Sequence, residues 1–206
     1  MQYFVSLSNE ITEKCVVVQK SKFIAYTCGV KNSFEAMQFV NSVSRKHFDA
    51  THNCFAWLTI DSQKYSDNGE PQGTAGIPIF ECIKNSNLMN VAIVVVRYFG
   101  GIKLGTGGLK RAYTQAALEV LDISRRIKYN TYYTISFDVE YPLVESVISL
   151  ISKYGKVNKA DYATNVNILA DIEKEKHFEF SKSFKDLTQG KIELVVIGEH
   201  ISPQNN

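Results

Sequence analysis

Between Arg97 and Arg111 the chain reads Arg-Tyr-Phe-Gly-Gly-Ile-Lys-Leu-Gly-Thr-Gly-Gly-Leu-Lys-Arg. That segment gathers what a receptor for negative charge requires. Gly100, Gly101, Gly105, Gly107 and Gly108 let main-chain N–H groups approach a ligand closely. A helix expected to begin at Thr106, a suitable N-cap, supplies free donors and partial positive charge. Arg97, Lys103, Lys110 and Arg111 add full charges. Basic residues in a first helical turn oppose the macrodipole by a few tenths to ~1 kcal/mol each, so a bound anion such as a phosphate would compensate. The competing reading is a tight left-handed turn with solvated cations. Mononucleotide signatures fail residue by residue. Gly100 and Gly105 have P-loop separation, but Thr106-Gly107 stands where Lys-Ser or Lys-Thr is required, and Gly105-x-Gly107 does not continue as a G-x-G-x-x-G.

A second constellation is the loop from Ser66 to Pro78, which carries Asp67 and Glu70 between glycines. Two carboxylates there could hold a metal or serve as acid and base. The structural alternative is that they cap turns and helices. His52-x-Cys54 places both side chains on one face of a strand. Without further cysteines or a His-x-Glu partner motif it does not make a zinc site, and no metal or cofactor is expected. Phe55, Trp57, Tyr98 and Phe99 could stack on nucleic acid bases, yet all four fall on strand candidates, where core packing is the default.

The elements that position these residues follow from periodicity. Val16 to Val30 reads as one strand or a pair. Phe34, Met37, Val40 and Val43 behind Asn32-Ser33 mark an amphipathic helix to about His47. Cys54 to Ile60 is a strand candidate. Asn90 to Phe99, rich in β-branched residues, reads as a central strand buried on both faces. Leu109, Ala112, Tyr113, Ala116, Ala117, Val120 and Leu121 form one apolar helical stripe. Eight of the twelve glycines lie between Gly69 and Gly108, so backbone geometry matters most there. Beyond about residue 130 the pattern becomes regular: strand 131–140, a helix opened by Pro142 and stopped by Gly155, strands 157–163 and 166–172, helix 173–188 and strand 191–197. That βαββαβ order is ferredoxin-like. The expected class is α+β, with domains over residues 1–130 and 131–206.

Composition supports an ordinary folded protein, with 45% hydrophobic and 21% charged residues. No apolar run approaches the ~18 residues of a membrane span, and the N-terminal residues lack a signal-peptide pattern; a cytoplasmic protein without membrane attachment is expected. Cys15, Cys28, Cys54 and Cys82 have no metal or disulfide spacing and read as reduced, mostly buried thiols. The net charge of +2 is unevenly spread. Residues 1–130 hold 15 basic and 10 acidic side chains, and residues 131–206 hold 8 and 11. From Cys82 to Leu118 there is no acidic residue, whereas Lys84, Arg97, Lys103, Lys110 and Arg111 fall inside. A basic zone of this kind favours an anionic partner.

Asp49-Ala50-Thr51-His52-Asn53-Cys54, the Ser66–Pro78 loop, and the run Arg97 to Leu109 with Arg111-Ala112-Tyr113 closely resemble the YigZ/IMPACT family. With Lys20-Ser21-Lys22-Phe23 the resemblance spans roughly residues 15 to 123. Asn68 stands where the family commonly has Asp, which weakens a two-carboxylate metal site, and Lys110 stands where an apolar residue is common. The resemblance implies an N-terminal domain of the ribosomal protein S5 domain 2 type, similar to domain IV of elongation factor G. It also implies a C-terminal domain like that factor's ferredoxin-like domains. Eukaryotic IMPACT proteins regulate translation by competing in the pathway that activates a kinase of initiation factor 2. The leading expectation is therefore a non-enzymatic, translation-associated regulator that binds RNA or the ribosome through Arg97, Lys103, Lys110, Arg111 and the glycine loop. Two alternatives stand beside it. One is a hydrolase or transferase acting on a phosphorylated small molecule, with Asp67 or Glu70 as base. The other is a regulator that binds a protein partner in translation control, in the manner of IMPACT.

Overall fold

The computed structural model describes residues 3–204. Its strands are β1 (Tyr3–Leu7), β2 (Thr12–Val18), β3 (Ser21–Gly29), β4 (His52–Leu58), β5 (Gln63–Ser66), β6 (Val91–Tyr98), β7 (Arg126–Val139), β8 (Gly155–Tyr162), β9 (Val166–Glu173) and β10 (Val195–Pro203). Its α-helices are α1 (Ser33–Lys46), α2 (Gly76–Asn85), α3 (Gly105–Asp122), α4 (Val144–Tyr154) and α5 (His177–Leu187). Two compact units divide the chain: Val5–Ile127 forms one, and the other begins at Lys128 and takes in Tyr3 and Phe4.

In the first unit the sheet order is β2-β3-β6-β4-β5, and every pairing is antiparallel. β6 is the centre, with Val95 opposite Ala25 on one side and Cys54 on the other. Alternation along β6 sends Val91, Ile93 and Val95 into one core with Ile79 and Ile83 of α2 and Leu109, Tyr113 and Ala116 of α3. Ala92, Val94 and Val96 enter a second core with Ala36, Phe39, Val40 and Val43 of α1. Helices on both faces explain the unbroken apolar run in an antiparallel strand. Each Val or Ile buried there contributes roughly 1.5–3 kcal/mol. α1 starts at Asn32, whose side chain accepts the Glu35 N–H (3.0 Å), as the Asn-Ser-x-Glu pattern predicts.

The second unit runs β7, α4, β8, β9, α5, β10 in chain order, with the first two residues of β1, Tyr3 and Phe4, added to it. β10 pairs with β7, β7 with β9 and β9 with β8, all antiparallel. Ile135, Phe137, Ile168, Ala170 and Ile172 of this sheet pack with Val147, Ile151, Phe180 and Phe184 of α4 and α5. Gly155 stops α4 as expected, and Pro142 sits in a 3-10 turn, Tyr141–Leu143, ahead of it. The chain is thus a mixed α and β protein built on two antiparallel sheets. Among the described residues no helix is long and apolar enough to cross a membrane.

Candidate functional site

β6 ends at Tyr98, and the chain is then pinned on both sides. The Phe99 N–H donates to Thr51 Oγ1 (3.1 Å) and the Gly100 N–H to Ser21 Oγ (3.1 Å). A Cβ on Gly100 would run into the Lys20 carbonyl and the Ser21 nitrogen, so only glycine lets the loop close on the β2–β3 turn. Gly101 and Gly105 follow at φ +85° and +71°, with open space where a side chain would stand.

α3 begins two residues earlier than a Thr106 cap would place it. Leu104, not Thr106, occupies the cap position, and no side-chain oxygen caps the first turn. The leading amides, including those of exposed Gly105, Thr106 and Gly107, therefore lack an intramolecular cap and face solvent. Lys110 and Arg111 fall in the second turn, which removes most of the dipole penalty expected for them. Arg111 Nη1 lies 3.5 Å from the point a Gly107 Cβ would occupy, so its guanidinium rests on the first turn. Lys103, Lys110 and Arg111 are exposed. Among the described residues none of the three is in an ion pair.

Arg97 behaves differently from the other cations and has to be taken out of the exposed set. Its side chain is 6% exposed and its Nη1 donates to Glu70 Oε1 at 2.7 Å, the carboxylate being 2% exposed. Its guanidinium carbon stands 5.5 Å from the ring centres of both Phe23 and Phe99. Tyr113 Oη also donates to Glu70 Oε1 (2.7 Å). Burial beside Cys54 and Glu70 pushes that phenol well up, which keeps it a donor. His52 Nδ1 meets the Asn68 carbonyl at 2.9 Å, and its Nε2 lies 3.8 Å from Glu70 Oε2. A charged residue inside an otherwise apolar strand requires a buried counter-ion. The acid-free stretch from Cys82 to Leu118 means that partner has to come from another element, and it comes from the Ser66–Pro78 loop.

Asp67 is a capping residue. Its carboxylate accepts the N–H groups of Gly73 (2.8 Å), Ala75 (3.0 Å) and Gly76 (2.8 Å) and so closes the N-terminus of α2, whose own cap position, Ala75, has no side-chain acceptor. Burial alone would raise its pKa, but those donated hydrogen bonds hold it below the ordinary carboxylate value. His52 and Cys54 share one face of β4, as alternation requires. Burial pushes the Cys54 thiol up to about 12, and it lies 2.9 Å from the Asp67 carbonyl, so it is a packed thiol and not a nucleophile. Asn68, at φ +43°, accepts the Asn53 N–H through Oδ1 (2.7 Å). Among the described residues no three His, Cys, Asp or Glu side chains are grouped to hold a metal ion.

The structure therefore separates the candidate residues into two groups. Glu70 and Arg97 join Tyr113 and Ser21 in a buried network, with His52 half-buried beside Glu70 and Asp67 engaged in capping α2, whereas Lys103, Thr106, Gly107, Lys110 and Arg111 are exposed. Tyr113 was readable as part of the α3 apolar stripe and of the family-like block, but not as a partner of Glu70, because the two lie 43 residues apart.

Residues 19–121 match the model of the Impact N-terminal domain. The chain is 35% identical over 196 residues to the IMPACT family member YvyE of Bacillus subtilis, covering 90% of this chain and 87% of that one. It is 37% identical over 194 residues to the IMPACT family member YigZ of Escherichia coli, covering 88% and 92%. A crystal structure of a hypothetical protein is similar at a TM-score of 0.65 and 30% identity, over 96% of this chain and 98% of that one. Shared length, shared fold and the matched N-terminal domain together make this chain a member of the IMPACT family.

Proposed function

We propose that this IMPACT family member is a non-catalytic, cytoplasmic regulator associated with translation, binding the phosphate backbone of RNA or the ribosome. Lys103, Lys110, Arg111 and the leading amides of α3 form the contact; Arg97 supports it from behind and does not touch the ligand. One observation carries the reading: an uncapped helix start, with the Arg111 guanidinium resting on its first turn and its cations free of carboxylates. Phosphate satisfies both the amides and the charges. The βαββαβ run of the second unit, with β10 and β9 both pairing with β7 and β8 with β9, supports reading it as ferredoxin-like; the S5 domain 2 type for the first unit rests on the family resemblance. A regulatory role fits the family. The hydrolase or transferase reading needs a free carboxylate, and both Asp67 and Glu70 are engaged.

The test is titration of a labelled oligoribonucleotide at several salt concentrations. Affinity is expected to fall with a log-log slope of about −0.7 per phosphate contacted. Lys103→Gln with Arg111→Gln should weaken binding and flatten the slope by about 1.4. Absence of binding at low salt, or a double variant indistinguishable from the parent, overturns the reading.

A further inference from the structure

Four aromatic residues were candidates for base stacking, and the fold gives them different fates. Phe55 stacks on Trp57, with ring centres 5.4 Å apart at 9°, and Trp57 donates its indole N–H to Ser62 Oγ. Tyr98 is held through its hydroxyl by His47 Nδ1 (2.9 Å) and Asp49 (3.0 Å). Phe99 lies just past the end of β6 and is 47% exposed. One side of its ring rests on the Arg97 guanidinium, 5.5 Å away. That guanidinium is fixed by Glu70, is backed by the buried Phe23 ring, and has an Nε without a hydrogen-bond partner. The Phe99 backbone is tied to Thr51 Oγ1, and the Thr51 N–H returns to the Arg97 carbonyl (3.0 Å).

From this geometry we infer that Phe99 is a base-stacking platform, and that the nucleic acid this site takes is RNA with unpaired bases. The inference rests on the phosphate-binding reading above and narrows its ligand. A ring held on a pinned guanidinium loses little freedom when a base settles on its open side, and polarisation by the cation beneath it strengthens that contact. Every base has a π face, so the platform selects for an unstacked base and not for sequence. Bases inside a duplex are already stacked on one another and cannot reach it. Phe99 and Lys103 are four residues apart, within ~14 Å even if the chain were fully extended. A strand with one base on Phe99 can therefore reach Lys103 with a nearby phosphate. Exposed Ile102 supplies apolar surface between them.

The test uses the full chain and three probes of equal length: a single-stranded oligoribonucleotide, the same strand annealed to its complement, and the same strand with abasic positions. The intact single strand should bind more tightly than either of the others. Phe99→Ala should reduce its affinity roughly 5- to 150-fold, to the level of the abasic strand, without changing the salt slope. Phe99→Trp should retain tight binding, and the comparison of intact with abasic strand on the unaltered protein needs no variant at all. Equal affinity for intact and abasic strands, or for single strand and duplex, overturns this inference while leaving salt-dependent phosphate binding in place. If none of the probes binds at low salt, the phosphate reading fails and takes the platform with it.

Discussion

Arg97 carries more of the architecture around the loop than any other single residue. It stands in a strand of Val, Ile and Ala, and its charge is balanced across the sheet by Glu70, which also accepts from Tyr113 on α3. Three elements, β6, the 66–78 loop and α3, are thereby joined at one carboxylate. Removing one member of a buried pair leaves an uncompensated charge, at a cost of about 3–5 kcal/mol, whereas replacing both with apolar groups of similar shape can be nearly neutral. Glu70→Gln and Arg97→Met are each expected to lower the free energy of unfolding by that order. The double variant should recover most of the loss, as read from urea denaturation midpoints. Two single-variant losses that simply add in the double variant would show that the pair is not coupled. Read from the sequence, Arg97 counts among the ligand-binding cations, although its place in an apolar, doubly buried strand already argues for burial. Its partner was not readable, since 27 residues separate the two and nothing local selects Glu70 over Asp67.

At the scale of elements, the sequence was clearest where local pattern and tertiary environment agree, as in α1 with its Asn32 cap and β6 with its β-branched run. It was silent where the stabilising partner is remote. α2 begins at Gly76 with Ala75 before it and Pro78 in its first turn, so no adjacent cap announces it; the acceptor is Asp67, eight to nine residues upstream. β5 is short and its residues are mostly exposed, and it lacks the apolar alternation that marks a half-buried strand. β10 continues past Gly198 to Pro203 because it pairs with β7 across an irregular register at Val196/Gly198, while the β-branched cluster that suggested a strand stops at Ile197. Edge strands tolerate such residues. The remote cap makes a pH-dependent prediction. The Asp67 pKa is lowered in the folded protein, so its contribution is full above the unfolded carboxylate value near 4 and is lost as the pH falls through the lower folded value. Asp67→Ala should cost about 1–2 kcal/mol at neutral pH. It should also show a shallower decline between pH 5 and the acid limit than the parent, measured by denaturation at a series of pH values. A variant that parallels the parent across that range would remove Asp67 from the cap.

Across the whole molecule the charge separates along the chain. Residues 1–130 carry a net +5 and residues 131–206 a net −3, and the acid-free zone lies wholly in the first unit. Such a distribution attracts a polyanion to one unit and repels it from the other, and the sign difference is a stronger guide than the total of +2, which would suggest almost no preference. Within the first unit Lys103, Lys110 and Arg111 are exposed, lack carboxylate partners among the described residues and lie just before α3 or in its second turn, and the leading amides there also lack a side-chain cap. Ligand contact and slowed exchange should therefore coincide. In hydrogen–deuterium exchange of the full chain with single-stranded RNA, protection is expected across Phe99 to Arg111 and in the Ser21 and Thr51 turns that hold the loop. The amides of β7 to β10 should be unchanged. Raising the salt should erase the protection across Phe99 to Arg111 while leaving exchange in the two sheets as it was, because screening weakens the phosphate contacts and leaves the buried cores untouched. Protection centred on the second unit instead would mean that the polyanion is recognised by surface chemistry other than charge, and the loop would lose its role.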